Sequence, residues 1–157
     1  MKHRLVAYVV ALFLAGGPVV RANDSSDPNV ATLARDYREL RAKRQQQLPG
    51  VRIKELDDSG GRLERTLSAL GVALGHPPHT RREILKIMGA PDAIRRDREM
   101  ANFLGIYERE RRKSAPSLKP RRDRKYLIYF WRGGHDFLFF ISEGGLIVDH
   151  GWWFAYE

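Results

Sequence analysis

From Tyr126 to Tyr156 the chain alternates compact apolar runs with glycine pairs: YLIYFW, RGGH, DFLFFI, SEGG and LIVDHGWWFAY. Paired glycines supply the positive φ that tight hairpin turns demand, so Gly133-Gly134 and Gly144-Gly145 predict two hairpins joining three antiparallel strands. No other stretch carries a comparable strand pattern. Upstream the period lengthens to that of helices. Val30, Leu33, Tyr37 and Leu40 recur at steps of three and four, behind Asp27-Pro28 as cap and first helical residue, and the pattern ends before Leu48-Pro49-Gly50. Residues 51–56 read as an extended connector and Asp57 to Gly61 as a turn. Leu63, Leu67, Leu70 and Leu74 make a second, one-sided stripe closed by Gly75. Thr80-Arg81-Arg82-Glu83 spells a capping box that opens a third helix, with Ile84, Leu85, Ile87 and Met88 on its buried side and Gly89 and Pro91 ending it. The fold class that follows is α+β: helices packed on a three-stranded antiparallel β-meander, with an additional N-terminal helix.

Two-residue turns fix the strand register and hence the faces. Counting from the glycine pairs sets Phe130 opposite Phe137 and Phe139 opposite His150. One face then carries Tyr126, Ile128, Phe130, Phe137, Phe139, Ile141, Val148, His150 and Trp152. The other carries Leu127, Tyr129, Trp131, Asp136, Leu138, Phe140, Ile147, Asp149 and Trp153. Both faces are apolar, whereas a sheet with one side in water alternates with polar residues. Each therefore needs a cover. The N-terminal helix is expected on one face and the Leu63 stripe with the Thr80 helix on the other. Where that cover falls short, Tyr129, Trp131 and Trp153 would form an aromatic contact surface.

Composition refines this in three ways. The first 22 residues, with Lys2 and Arg4 before an apolar run from Leu5 to Leu14 and then Val20-Arg21-Ala22, have the order of a cleavable signal peptide. That leaves 23–157 as a single domain in the periplasm or outside the cell. The chain has no cysteine, so neither a disulfide nor a lipid-bearing cysteine is expected. Loss of Lys2, Arg4 and Arg21 with the signal takes the formal net charge from +9 to +6. The segment Glu108 to Lys125 alone holds nine basic and three acidic residues. Positive charge is thus concentrated in a basic insertion at about 93–125, through whose start a weak helix is expected along Ile94, Met100, Phe103 and Leu104. Arg111, Arg112, Arg121 and Arg122 are its candidate anion-binding residues, for a membrane surface foremost and for nucleic acid second.

Catalytic chemistry has little to build on. No phosphate-binding glycine loop and no serine or cysteine nucleophile signature occurs. His76-Pro77-Pro78-His79 has no acid or cysteine beside it and reads as a stiff, solvated linker. His135, Asp136 and His150 are the alternative set for a metal-dependent enzyme, but the counted register turns Asp149 and His150 to opposite sides and leaves His135 at a turn. Only a bulge would bring them together. No cofactor and no metal are therefore expected.

Taken together, TRREILKIMGAPD followed by YLIYFWRGGHDFLFFISEGGLIVDHGWW resembles the small SmpA/OmlA-type (BamE-like) domains of outer-membrane assembly proteins. The matching pieces are the capped helix ending in Gly89-Ala90-Pro91, the aromatic first strand with Tyr129 and Trp131, and the last hairpin with Phe139, Ile141, Gly144, Gly145, Leu146 and Val148. The resemblance spans Thr80 to Trp153. It implies two helices on one face of a three-stranded sheet and a binding rather than catalytic role at the cell envelope. The expected function is an exported binding or assembly module contacting an envelope protein or an anionic surface.

Overall fold

The computed structural model describes residues 28–100 and 122–155. The signal sequence assigned to 1–22, the cap Asp27, the helix positions Phe103 and Leu104, and Arg111, Arg112 and Arg121 lie outside the described residues.

Helix α1, Pro28–Gln45, buries Val30, Tyr37 and Leu40 of the stripe read from the sequence, together with Ala34, while Leu33 packs partly buried against the same core. Its last turn carries Lys43 and Arg44, whose charge complements the carbonyl end of the helix. Both grip the next element: Lys43 pairs with Glu55, and Arg44 pairs with Asp57 at 2.8 Å while donating to the Leu56 carbonyl. The expected extended connector is in part a single helical turn, α2, Lys54–Asp57. The Asp57 carboxylate accepts the Ile53 amide at 2.7 Å, which satisfies a donor at the start of the turn and lets Leu56 plug the core.

Helix α3, Arg62–Leu74, buries all four leucines of its stripe. Helix α4, Arg81–Met88, opens with the anticipated capping box: Thr80 Oγ1 accepts the Glu83 amide and Glu83 Oε2 accepts the Thr80 amide. It is narrower than read, because Ile84 and Met88 are buried while Leu85 is exposed. Gly89 adopts φ of 81°, a value that favours glycine, and so ends the helix.

The sheet has four strands, not three: β1 Ala93–Arg96, β2 Lys125–Arg132, β3 Asp136–Glu143 and β4 Leu146–Trp153, antiparallel in the order β1-β2-β3-β4. Strand β1 was read as part of a weak helix. Its sequence AIRR is short and charged, and what makes it a strand is its anchorage rather than its propensity. Asp92 donates its amide to the Ile128 carbonyl, accepts the Phe130 amide, and is held by Arg41 of α1. Ala93 is thereby delivered opposite Ile128.

The division of labour among the helices also differs from expectation. Leucines of α3 and the Val30, Tyr37 and Leu40 stripe of α1 join one core with Leu127, Tyr129, Trp131, Leu138, Phe140 and Ile147. Helices α1, α3 and α4 therefore serve the same sheet face, and α1 is kept there by its pairs to α2 and to Asp92. The opposite face gathers Tyr126, Ile128, Phe137, Phe139 and Ile141 into a second core. Among the described residues, Met100 joins that cluster from outside the sheet. No described helix is long and apolar enough to cross a membrane.

Candidate functional site

Strand β4 leaves its Gly144-Gly145 turn in the expected register, with Glu143 opposite Leu146 and Ser142 opposite Ile147. One step later Ile141 faces Asp149, so Val148 is an extra residue on β4. A one-residue bulge reverses the facing of everything beyond it. His150 is consequently opposite Phe140 rather than Phe139, and His150 and Trp152 turn towards the helices while Trp153 joins the other core. This corrects the faces assigned to His150, Trp152 and Trp153.

The helices have a slot ready for the imidazole. Gly71 lies in the last turn of α3 and Gly75, four residues on, caps its end, and side chains at either would collide with His150. A Cβ on Gly71 would stand 2.9 Å from His150 Cδ2, and one on Gly75 would stand 2.0 Å from Nδ1. The His76 ring, directly after Gly75, meets the His150 ring edge-on at 5.0 Å between centroids. Asp149 Oδ1 accepts the His150 amide at 2.8 Å, which fixes the carboxylate beside the ring. The result is a convergence of His76, Asp149 and His150 with their ligand atoms within 4.8 Å of one another. Asp149 is 7% exposed, His150 half-buried and His76 exposed, so the cluster is open on one side.

Two imidazoles and one carboxylate can share a proton or hold a borderline divalent cation. Sequence reasoning missed this site twice. The linker histidine has no acid beside it in sequence, and the bulge that turns His150 towards the helices has no local signature. The glycine spacing at 71 and 75 was the available signal.

The other sequence-derived set separates into different structures. His135 and Asp136 stay together at the β2–β3 turn, with His135 Nδ1 at 3.2 Å from Asp136 Oδ1. Asp136 is also bound by Arg132 at 2.8 Å and by the Ala155 amide at 3.0 Å. Burial alone would raise its carboxyl, but the Ala155 amide, His135 and Arg132 together hold it below the usual aspartate range. His150 belongs instead to the cluster with His76.

Of the aromatic contact residues, Tyr129 is 0% and Trp131 is 1% exposed. Both are hydrogen-bonded into the core, Tyr129 to the Gly89 carbonyl and Trp131 to the Leu56 carbonyl, each at 3.0 Å. Burial pushes the Tyr129 hydroxyl well above its ordinary range, as it does that of Tyr37 packed edge-on against it. Because the helices cover this face, these two side chains have no surface left to offer a partner. Trp153 is half-buried on the opposite face, and Arg122 is exposed in the turn before β2. Arg124, counted with the basic segment, is only 2% exposed and lies between Glu143 at 2.6 Å and Asp97 at 3.4 Å. The Tyr126 hydroxyl donates to the same Asp97 at 2.7 Å. This arginine staples β2 to β3 instead of facing an anion.

No protein-family model, curated protein or solved structure matches the chain.

Proposed function

We propose that the chain is an exported, non-catalytic binding or assembly module of the cell envelope, engaging an anionic surface through the exposed arginines of the β1 edge. What supports the reading is one arrangement: Arg95 and Arg96 of β1 and the following Arg98 are exposed, and the sequence beyond them runs into the basic segment ending at Lys125. Tyr129 and Trp131, at first expected to contact a partner, are occupied in the core, which favours charge as the means of recognition. The signal-like opening and the resemblance to SmpA/OmlA-type domains point to the same compartment and to binding rather than turnover.

Cosedimentation of the mature protein with anionic and with neutral phospholipid vesicles tests this. Each cation at an anionic bilayer contributes about 1 kcal/mol, so replacing Arg95, Arg96 and Arg98 by serine together should weaken vesicle binding by about 100-fold. Binding should also fall steeply with salt. Equal binding to neutral vesicles, or an undiminished affinity in the triple variant, would sink the reading. Preferential capture of a nucleic acid duplex over the vesicles would replace it by the phosphate-binding alternative.

A further inference from the structure

We propose that His76, Asp149 and His150 form a binding site for a divalent transition cation. The site includes none of the β1 arginines and stands independently of the envelope reading.

The ligand types come first. Neutral imidazole nitrogen and carboxylate oxygen are the donors that suit zinc and its first-row neighbours, whereas all-oxygen sets suit magnesium and calcium. Three such groups from one protein, with a remaining position open, is the donor set of zinc sites that keep a place for an outside ligand. Here the three ligand atoms already lie within 4.8 Å of one another. A tetrahedral zinc with bonds of about 2.0–2.1 Å needs its ligand atoms about 3.3 Å apart. Rotation of the His76 side chain, the exposed member, supplies the closure, while the two β4 ligands stay where the strand holds them.

Several features of the fold converge on the cluster. Val148 is inserted into β4, which carries His150 to the helix side and sets it beside Asp149. Gly71 and Gly75 clear the space that the His150 ring fills, with Gly75 so close that any side chain there would overlap it. The Asp149 carboxylate is buried and oriented by the His150 amide, in the manner of a ligand fixed before its ion arrives. His76 follows directly on Gly75, the cap of α3, close to the carbonyl end of the helix, which favours positive charge. The exposed edge beside His76 leaves the bound ion accessible to water or to a donor from another molecule.

Untagged, metal-stripped full-length mature protein should be titrated with Zn2+ by calorimetry and with Co2+ by its visible absorption. The expected result is one saturable equivalent, and an intense cobalt band of tetrahedral character. His76→Ala, which removes an exposed side chain, and Asp149→Asn, which preserves volume, should each weaken binding by at least about 10- to 100-fold, since even outer-shell changes reach that scale. Circular dichroism confirms that both variants are folded. His135→Ala should bind as the parent does, and excess Mg2+ should not compete. Absence of a saturable first equivalent, retention of full affinity in His76→Ala and Asp149→Asn, or loss of binding in His135→Ala would each overturn the proposal.

Discussion

The two hairpins of the sheet begin alike and end differently. Each turns on a glycine pair at positive φ, and each joins strands of eight residues. In the β2–β3 hairpin the pairing counted from the turn holds from Lys125 to Phe130, and the irregularity is confined to Trp131 beside the turn. In the β3–β4 hairpin the irregularity comes two pairs from the turn, so most of β4 is displaced by one residue. A glycine pair thus dictates where a hairpin reverses but not what happens after the next bulge. The cost of the regular alternative explains the bulge: without it Asp149 would face the leucines of α3, a buried carboxylate among apolar groups. With it the helix face receives His150 and Trp152, and Trp152 stacks on Phe154 and meets Trp131 edge-on.

The largest expected effect separates the ordered hairpin from the displaced one. Trp131→Ala removes a core indole, its hydrogen bond to Leu56 and the ring beneath the Arg132 guanidinium, so it should lower unfolding stability by about 3–5 kcal/mol. Trp153→Ala, half-buried at the end of the displaced strand, should cost clearly less. Urea unfolding of both variants makes the measurement. Equal losses would mean that Trp153 is packed on its face as tightly as Trp131 is beneath the helices.

Next comes the slot for His150. Gly75→Ala should cost about 1–3 kcal/mol by overpacking, because its Cβ would meet the ring at 2.0 Å and the Gly71 carbonyl at 2.4 Å. Gly71→Ala should cost less, since it meets only side-chain atoms at 2.9 Å and gains helix propensity of up to about 1 kcal/mol. Thermal unfolding of the pair checks the order. Gly75→Ala as stable as the parent would place His150 elsewhere and return β4 to the regular register.

What could be read from the sequence follows the same division. Elements with local signatures were legible: the stripes of α1 and α3, the capping box of α4, both glycine turns and the register of the first hairpin all rest on residues near one another in the chain. Strand β1 was not, because AIRR has no apolar alternation and its pairing depends on Asp92 being held by Arg41, 51 positions away. The bulge at Val148 was not either, because the reason for it lies in α3. The candidate site shares that fate: its histidine from the linker and its acid from β4 become neighbours only through a packing event that neither segment encodes alone. Arg124 shows the converse error. Its neighbours in sequence suggested a solvated basic loop, and its neighbours in space are Glu143 and Asp97.

A smaller effect tests a boundary that the local signature did predict. Thr80→Ala removes the hydroxyl that accepts the Glu83 amide and should destabilise the fold by about 1 kcal/mol, whereas Thr80→Ser should be close to neutral. Because Thr80 also bridges to Leu146 at the start of β4, the loss should be accompanied by faster amide exchange at Arg81 and Ile147, which bond to Gly145 and His79 across that junction. Exchange confined to α4 would show that the cap does not support the hairpin.

The smallest effect concerns the carboxylate that closes the first hairpin. Asp136 has its folded-state pKa held below the ordinary value, because its hydrogen bonds from Ala155, His135 and Arg132 outweigh the burial that opposes them. A depressed pKa contributes stability that is fully present above the unfolded-state value, about 3.9, and is lost as pH falls through the folded-state value. The parent should therefore exceed Asp136→Asn in stability at pH 5, and the gap should close as the solution is acidified below pH 4. Urea midpoints at half-unit steps from pH 5 to 2 follow that gap directly. A gap that stays constant across this window would mean that Asp136 holds the turn by shape alone, and that the first hairpin owes its regular register to its aromatic pairs rather than to its ion pair.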